Sequence, residues 1–205
     1  MKKLKYNIII FIIVITSVLR AGYADDWDEV RDAAKNIKSV SADFTQEKHM
    51  KILVKPLLSK GKFYFSSPDS LRWEYLSPLK SILMMYKGKV KSYAEGSNGL
   101  VEDSRAKAQA MNIVMQEITS WLNGKFTGNP NFNAELKKGQ EYRIILSPKE
   151  KAISNIIKSI EITISKEKGI IKSVSINESE DSYTILQFYN IQHNNKIDDS
   201  VFQKI

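Results

Sequence analysis

The sequence contains no cysteine and only two histidines, His49 and His193, far apart along the chain. The first absence excludes disulfides, thiolate metal sites, a cysteine nucleophile and a lipid-modified N-terminal cysteine. The second leaves little material for a catalytic histidine or a histidine metal centre. There is no nucleotide-binding glycine loop, no nucleophile elbow and no metal-ligand spacing. The neighbouring carboxylates, Asp69 with Glu74 and Glu178 with Glu180 and Asp181, fall in turns, where solvation is their usual fate. No enzymatic activity, cofactor or metal is therefore expected. Long runs of like charge are also missing. The net charge is +8, but Lys2, Lys3, Lys5 and Arg20 supply half of it and no acid precedes Asp25. The remainder is too mildly basic to argue for nucleic acid.

Long apolar runs are absent as well, with one exception. Met1 to Asn7 is basic, Ile8 to Leu19 is almost unbroken apolar, and Ala21-Gly22-Tyr23-Ala24 is a small-x-small pattern. This is the layout of a cleavable secretory signal peptide. The run is shorter than the roughly 20 apolar residues that a spanning helix needs. Residues 1–24 are thus expected to be removed, leaving 25–205 as one soluble domain outside the cytoplasm.

What the mature chain has is alternation. Asp26 to Val40 first reads as a helix, with Trp27, Val30, Ala34 and Ile37 at spacings of three and four and acids in its first turn, where the helix dipole favours them. Val40, Ala42 and Phe44 then alternate with polar neighbours, as a strand does. A polar stretch is read over Glu47 to Lys55. Further strands are expected at Leu57–Phe65, Leu71–Leu76, Ser81–Tyr86 and Lys89–Ala94, separated by turn formers such as Pro68, Pro78 and Lys87-Gly88. Ser104 to Leu122 switches to a helical period, with Met111, Val114, Met115, Ile118, Trp121 and Leu122 on one stripe. Strands resume from Phe132, including Ser159–Ser165, Ile170–Asn177 and Tyr183–Ile191. The sum is nine to eleven strands and two helices. Such meandering hairpins make a barrel or a strongly curved antiparallel sheet, and the helices are natural covers for its open face.

Between Ser59 and Tyr93 one strand face is crowded with Phe63, Phe65, Leu71, Trp73, Tyr75, Leu83 and Met85, against Lys62, Arg72 and Glu74 on the other. An ordinary core accounts for such a face. So does an apolar ligand site, which the abundance of methionine favours, since this flexible, polarizable side chain suits variable apolar partners.

The order Phe44-Thr45-Gln46, Ser59-Lys60-Gly61-Lys62-Phe63, Pro68, Leu71-Arg72-Trp73-Glu74-Tyr75 and Pro78 resembles the LolA family of outer-membrane lipoprotein carriers. The resemblance runs through the Lys168-Gly169 hairpin to Asn195–Phe202. It implies a mainly β (α+β) fold: an incomplete antiparallel barrel of about eleven strands with helices lidding the open face, as in LolA and LolB. It implies a periplasmic chaperone, without cofactor, that takes lipoprotein acyl chains from an inner-membrane ABC transporter to an outer-membrane acceptor, acting as a monomer. Phe63, Phe65, Trp73, Tyr75, Leu83, Met85, Met111, Met115, Ile118 and Trp121 are the expected cavity and lid residues, with Arg72 and Tyr93 at the rim. Where the family places an arginine that holds the lid shut, directly before the turn proline, this chain has Ser67. Two other readings stay open. One is a carrier of another lipid or glycolipid in envelope biosynthesis. The other is an envelope-stress sensor or regulatory module of the same fold.

Overall fold

Period-two alternation over most of the chain produces eleven strands, which the computed structural model describes over residues 26–103 and 115–205. The expected targeting segment, residues 1–24, and Met111 lie outside the described residues. Helix α1 (Asp26–Lys35) leads into β1 (Ser39–His49), β2 (Leu57–Ser66), β3 (Ser70–Ser77), β4 (Ser81–Tyr86), β5 (Lys89–Gly96) and β6 (Gly99–Glu102). The next connection contains helical residues 115–122, called α2. It is followed by β7 (Phe132–Lys138), β8 (Tyr142–Pro148), the one-turn helix α3 (Lys151–Ser154), β9 (Ser159–Ile164), β10 (Ile171–Ser179) and β11 (Ser182–His193). A 3₁₀ turn spans Asp199–Phe202.

All eleven strands join one antiparallel sheet in the order β6-β5-β4-β3-β2-β1-β11-β10-β9-β8-β7. Every neighbour is sequential except β1 with β11, so two meanders are sewn together along that seam. The sheet's free edges are β6 and β7, and the barrel is left incomplete. Between β6 and β7 in the sequence, residues 115–122 of α2 lie over the open side.

Helix α1 is shorter than the spacing predicts. It stops at Lys35, and β1 has begun by Ser39. Ile37 and Val40 keep a helical interval although they lie in a turn and a strand, because both are buried in the same apolar core.

One face of the sheet supplies that core. Phe44 is fully buried at its centre. Its ring meets Tyr75 edge-on at 5.2 Å and lies 5.3 Å from Trp73. Phe188 joins Phe63 and Trp73 at 5.6 and 6.1 Å. Gly61 makes this cluster possible. A Cβ there would stand 2.0 Å from the Glu74 carbonyl oxygen and 2.6 Å from the Phe44 ring. The register of β2 against β3 shifts at the same point, between Lys60 and Gly61. A second shift, between Ser41 and Asp43 of β1, lies opposite Asn190, whose φ is 52°. Such bulges re-aim the side chains that follow, and Phe188 and Ile191 consequently face the same interior.

Candidate ligand-binding site

The concave face and the helices do not close on each other completely. Between them lies a cavity of about 490 Å³. Ala42, Phe63, Trp73 and Phe188 form one side of it. Ile160, Ile164, Val174 and Ile176 from β9 and β10 form the other. Ala34 and Ile37 reach in from the α1 end, and Ile118, Trp121 and Leu122 from α2. The β8–β9 connection adds Ile153, Ile156 and Ile157, of which Ile156 is 69% exposed. The wall is open to solvent there. Among the described residues Glu117 and Asn131 are the only charged or amide side chains in the lining, and they hydrogen-bond to each other (Asn131 Nδ2 to Glu117 Oε1, 2.9 Å). A space walled this way offers an occupant a single carboxylate, already engaged by Asn129 and Asn131, and almost no other hydrogen bond. It rewards apolar area alone.

Polar contacts hold α2 over the cavity at both ends. Glu117 also accepts a hydrogen bond from Asn129 at 2.5 Å. At the far end Ser67 Oγ donates to Asn123 Oδ1 at 3.1 Å, and Asn123 Nδ2 donates to the Pro68 carbonyl at 2.9 Å. The position before the turn proline thus does touch the lid, through a neutral pair.

The expected site residues divide into groups. Phe63, Trp73, Ile118 and Trp121 stand in the cavity wall. Phe65 and Met115 are fully buried and Met85 nearly so, packed into the core beside the cavity and not facing it. Leu83 and Tyr75 pack against that core from its margin. Tyr75 donates its hydroxyl to Gln46 Oε1 at 2.8 Å, and burial pushes its pKa up to about 12, so it stays neutral. Met111 lies outside the described residues.

The two rim assignments are corrected. Arg72 points to the opposite, outer face, as period two requires. There it is only 8% exposed, because the C-terminal segment covers it. Its Nη1 donates to the Val201 and Lys204 carbonyls at 3.2 and 2.5 Å, and its Nε to Glu74 at 2.8 Å. Tyr93 is buried with Ile82 and Met84 in a small cluster apart from the main core.

Isoleucine, not methionine, dominates the wall. The Ile160–Ile162–Ile164 alternation was a visible sign of strand, and nothing in it separated a wall of a cavity from a solid core.

These features define a class first: a lidded, incomplete antiparallel barrel that encloses an apolar binding space. The chain belongs to the LolA family. Residues 35–204 match the family described as outer membrane lipoprotein carrier protein LolA. No curated protein matches the chain. Among solved structures, an uncharacterized conserved protein from Thermus thermophilus is 11% identical with a TM-score of 0.56, over 88% of this chain and 94% of that one. The complex of MucA and MucB from Pseudomonas aeruginosa contains a chain 11% identical with a TM-score of 0.51, over 87% of this chain. This chain spans 59% of that one's length. At such identities the likeness is one of fold. Among the described residues no helix is long and apolar enough to cross a membrane.

Proposed function

We propose that this protein is a periplasmic carrier that shelters the acyl chains of lipoproteins between the inner and the outer membrane, without catalysing a reaction. The observation that carries the reading is the cavity, about 490 Å³ of almost wholly apolar wall under a helical lid. Family membership over residues 35–204 supports it. An acyl chain in water exposes about 0.8 kcal/mol of unfavourable transfer free energy per methylene, and a sheltered apolar space removes most of that exposure. The donor would be an inner-membrane ABC transporter and the acceptor an outer-membrane protein. Residues 1–24 would direct export and be removed.

The test is recovery of the protein from the periplasm followed by mass spectrometry of what comes with it, together with titration of a fluorescent acyl probe. Lipoprotein cargo and saturable probe binding are expected. Binding of the probe with only free lipid or glycolipid recovered would shift the reading to another lipid cargo. No lipid and no probe binding would remove it.

A further inference from the structure

The end of the sheet where β1 turns into β2 is unlike an ordinary hairpin end. Residues 50–58 read Met-Lys-Ile-Leu-Val-Lys-Pro-Leu-Leu. The Leu53 amide donates to the Met50 carbonyl at 2.9 Å, a turn that puts Lys51 and Ile52 at the tip. Ile52 is 86% exposed and Val54 101%, and Leu53, Leu57 and Leu58 are exposed as well. Strand register places the β3–β4 turn at the same end, since Thr45 pairs with Lys60 and Lys60 with Ser77. Leu76 and Leu79 are exposed there too, Leu79 at 71%. Hairpin loops are usually made of glycine, asparagine, aspartate and serine. A lone exposed apolar side chain is ordinary, but this many on adjoining loops mark an interaction surface.

Charge indicates what it meets. Residues 50–58 contain two lysines and no acid, and Lys60 and Lys80 follow close by. Lys51 pairs with Asp181 of the adjacent β10–β11 turn at 3.0 Å. Other acids at this end include Glu180, Glu150 of the β8–β9 connection, Glu47, which approaches His49, Glu178, which Lys48 holds, and Glu95, which accepts the Lys80 amide. Lys55, Lys60 and Lys80 make no ion pair among the described residues. A recess lined by Leu53, Val54 and Pro56 separates this loop from the β10–β11 turn, while Ile52 and Leu79 stand out on two adjoining loops. Exposed apolar side chains flanked by unpaired lysines suit an anionic bilayer surface, where the lysines can extend into the headgroup layer.

We propose that this end docks the protein on a bilayer, inserting Ile52, Val54 and Leu79 between lipids and setting Lys55, Lys60 and Lys80 among anionic headgroups. The β8–β9 connection, with Ile156 on the cavity wall, lies at the same end, because Ser159 of β9 pairs with Asn177 and Asn177 with Tyr183, which faces His49. Docking brings the open part of the wall toward the lipid. It does not depend on what fills the cavity.

Flotation with vesicles tests it, using protein recovered from the periplasm. Binding is expected to vesicles of phosphatidylcholine mixed with phosphatidylglycerol, and to weaken with salt and on phosphatidylcholine alone. The combined Ile52→Ser, Val54→Ser and Leu79→Ser variant should lose about tenfold or more in partitioning, an effect smaller than full burial of these side chains would supply. Its melting temperature and acyl-probe affinity should not change. A Lys55→Gln, Lys60→Gln, Lys80→Gln variant should lose binding on the anionic vesicles only. Absence of flotation, or equal flotation of parent and serine variant, overturns the proposal. So does capture by a protein partner through these loops with no vesicle binding.

Discussion

A cavity of fixed size should measure the length of its occupant. An apolar cavity of roughly 150 Å³ takes one benzene, which is roughly 25 Å³ per carbon. At that density the space of about 490 Å³ holds roughly 20 carbons, a single long acyl chain. The perturbation is therefore the ligand's length. Saturated fatty acids of increasing length, each below its aggregation threshold, would compete against a fluorescent acyl probe. Each added methylene that enters the cavity contributes up to about 0.8 kcal/mol, or about fourfold in Kd. The entropy lost on association is nearly the same for every member of the series and so cancels from the slope. Affinity should climb steadily and then flatten near about 18–20 carbons, when further methylenes remain in water. A plateau already at about ten carbons, or none by about twenty-four, would refute the reasoning, since the wall would then not be what sets the limit.

Three other outcomes follow from the geometry. Gly61→Ala should destabilise the fold by about 1–3 kcal/mol, because the new Cβ meets the Glu74 carbonyl and the Phe44 ring; an unchanged denaturation midpoint would contradict that packing. Arg72→Ala strips the Val201 and Lys204 carbonyls and Glu74 of a charged donor, so limited proteolysis should cut the C-terminal segment faster while acyl-probe binding holds; lost probe binding with an intact tail would put Arg72 back at the rim. Asn190 and then Lys62 hold the Asp43 carboxyl below its usual range, and the Ser200 hydroxyl and amide do so for Asp198. Groups with a depressed folded pKa stabilise the fold above their unfolded value and lose that contribution as pH falls through the folded one, so urea midpoints should drop between about pH 5 and pH 3 and drop less in Asp43→Asn.

The fold was legible because period two is hard to disguise. β4 runs from Ser81 to Tyr86 as alternation places it, and Phe63, Phe65, Leu71 and Trp73 share the face expected of them. What alternation does not convey is what lies against each face. Arg72 was placed correctly on the outer face, yet its partners come from residues 201–204, whose path over β3 and β4 is a tertiary fact. The isoleucine half of the cavity looked like any core, since a void is a property of how far the helices stand off the sheet. The methionines misled for the same reason: Met85 and Met115 fill space beside the cavity, and Met84 lies on the outer face with Tyr93. The stretch over Glu47 to Lys55 reads as polar in the sequence, although it carries Met50, Ile52, Leu53 and Val54. Hairpin ends are normally polar, and the departure from that rule is the informative part.

The lid arrangement bears on release. Ile118, Trp121 and Leu122 line the cavity and are also the residues by which α2 rests on the barrel. A chain entering by the open wall at Ile156 fills the space beneath those residues and adds its contacts to theirs. The clasps at Ser67–Asn123 and Glu117–Asn131 add little against opening, since a hydrogen bond between neutral groups is worth about 0.5–1.5 kcal/mol and one to a carboxylate about 1.5–3. A held chain is thus retained by area and not by any lock. Under the proposed carrier function, an acceptor that offers a drier or larger apolar site could take the chain without breaking a strong polar contact, so that transfer would run downhill with no input of energy at that step.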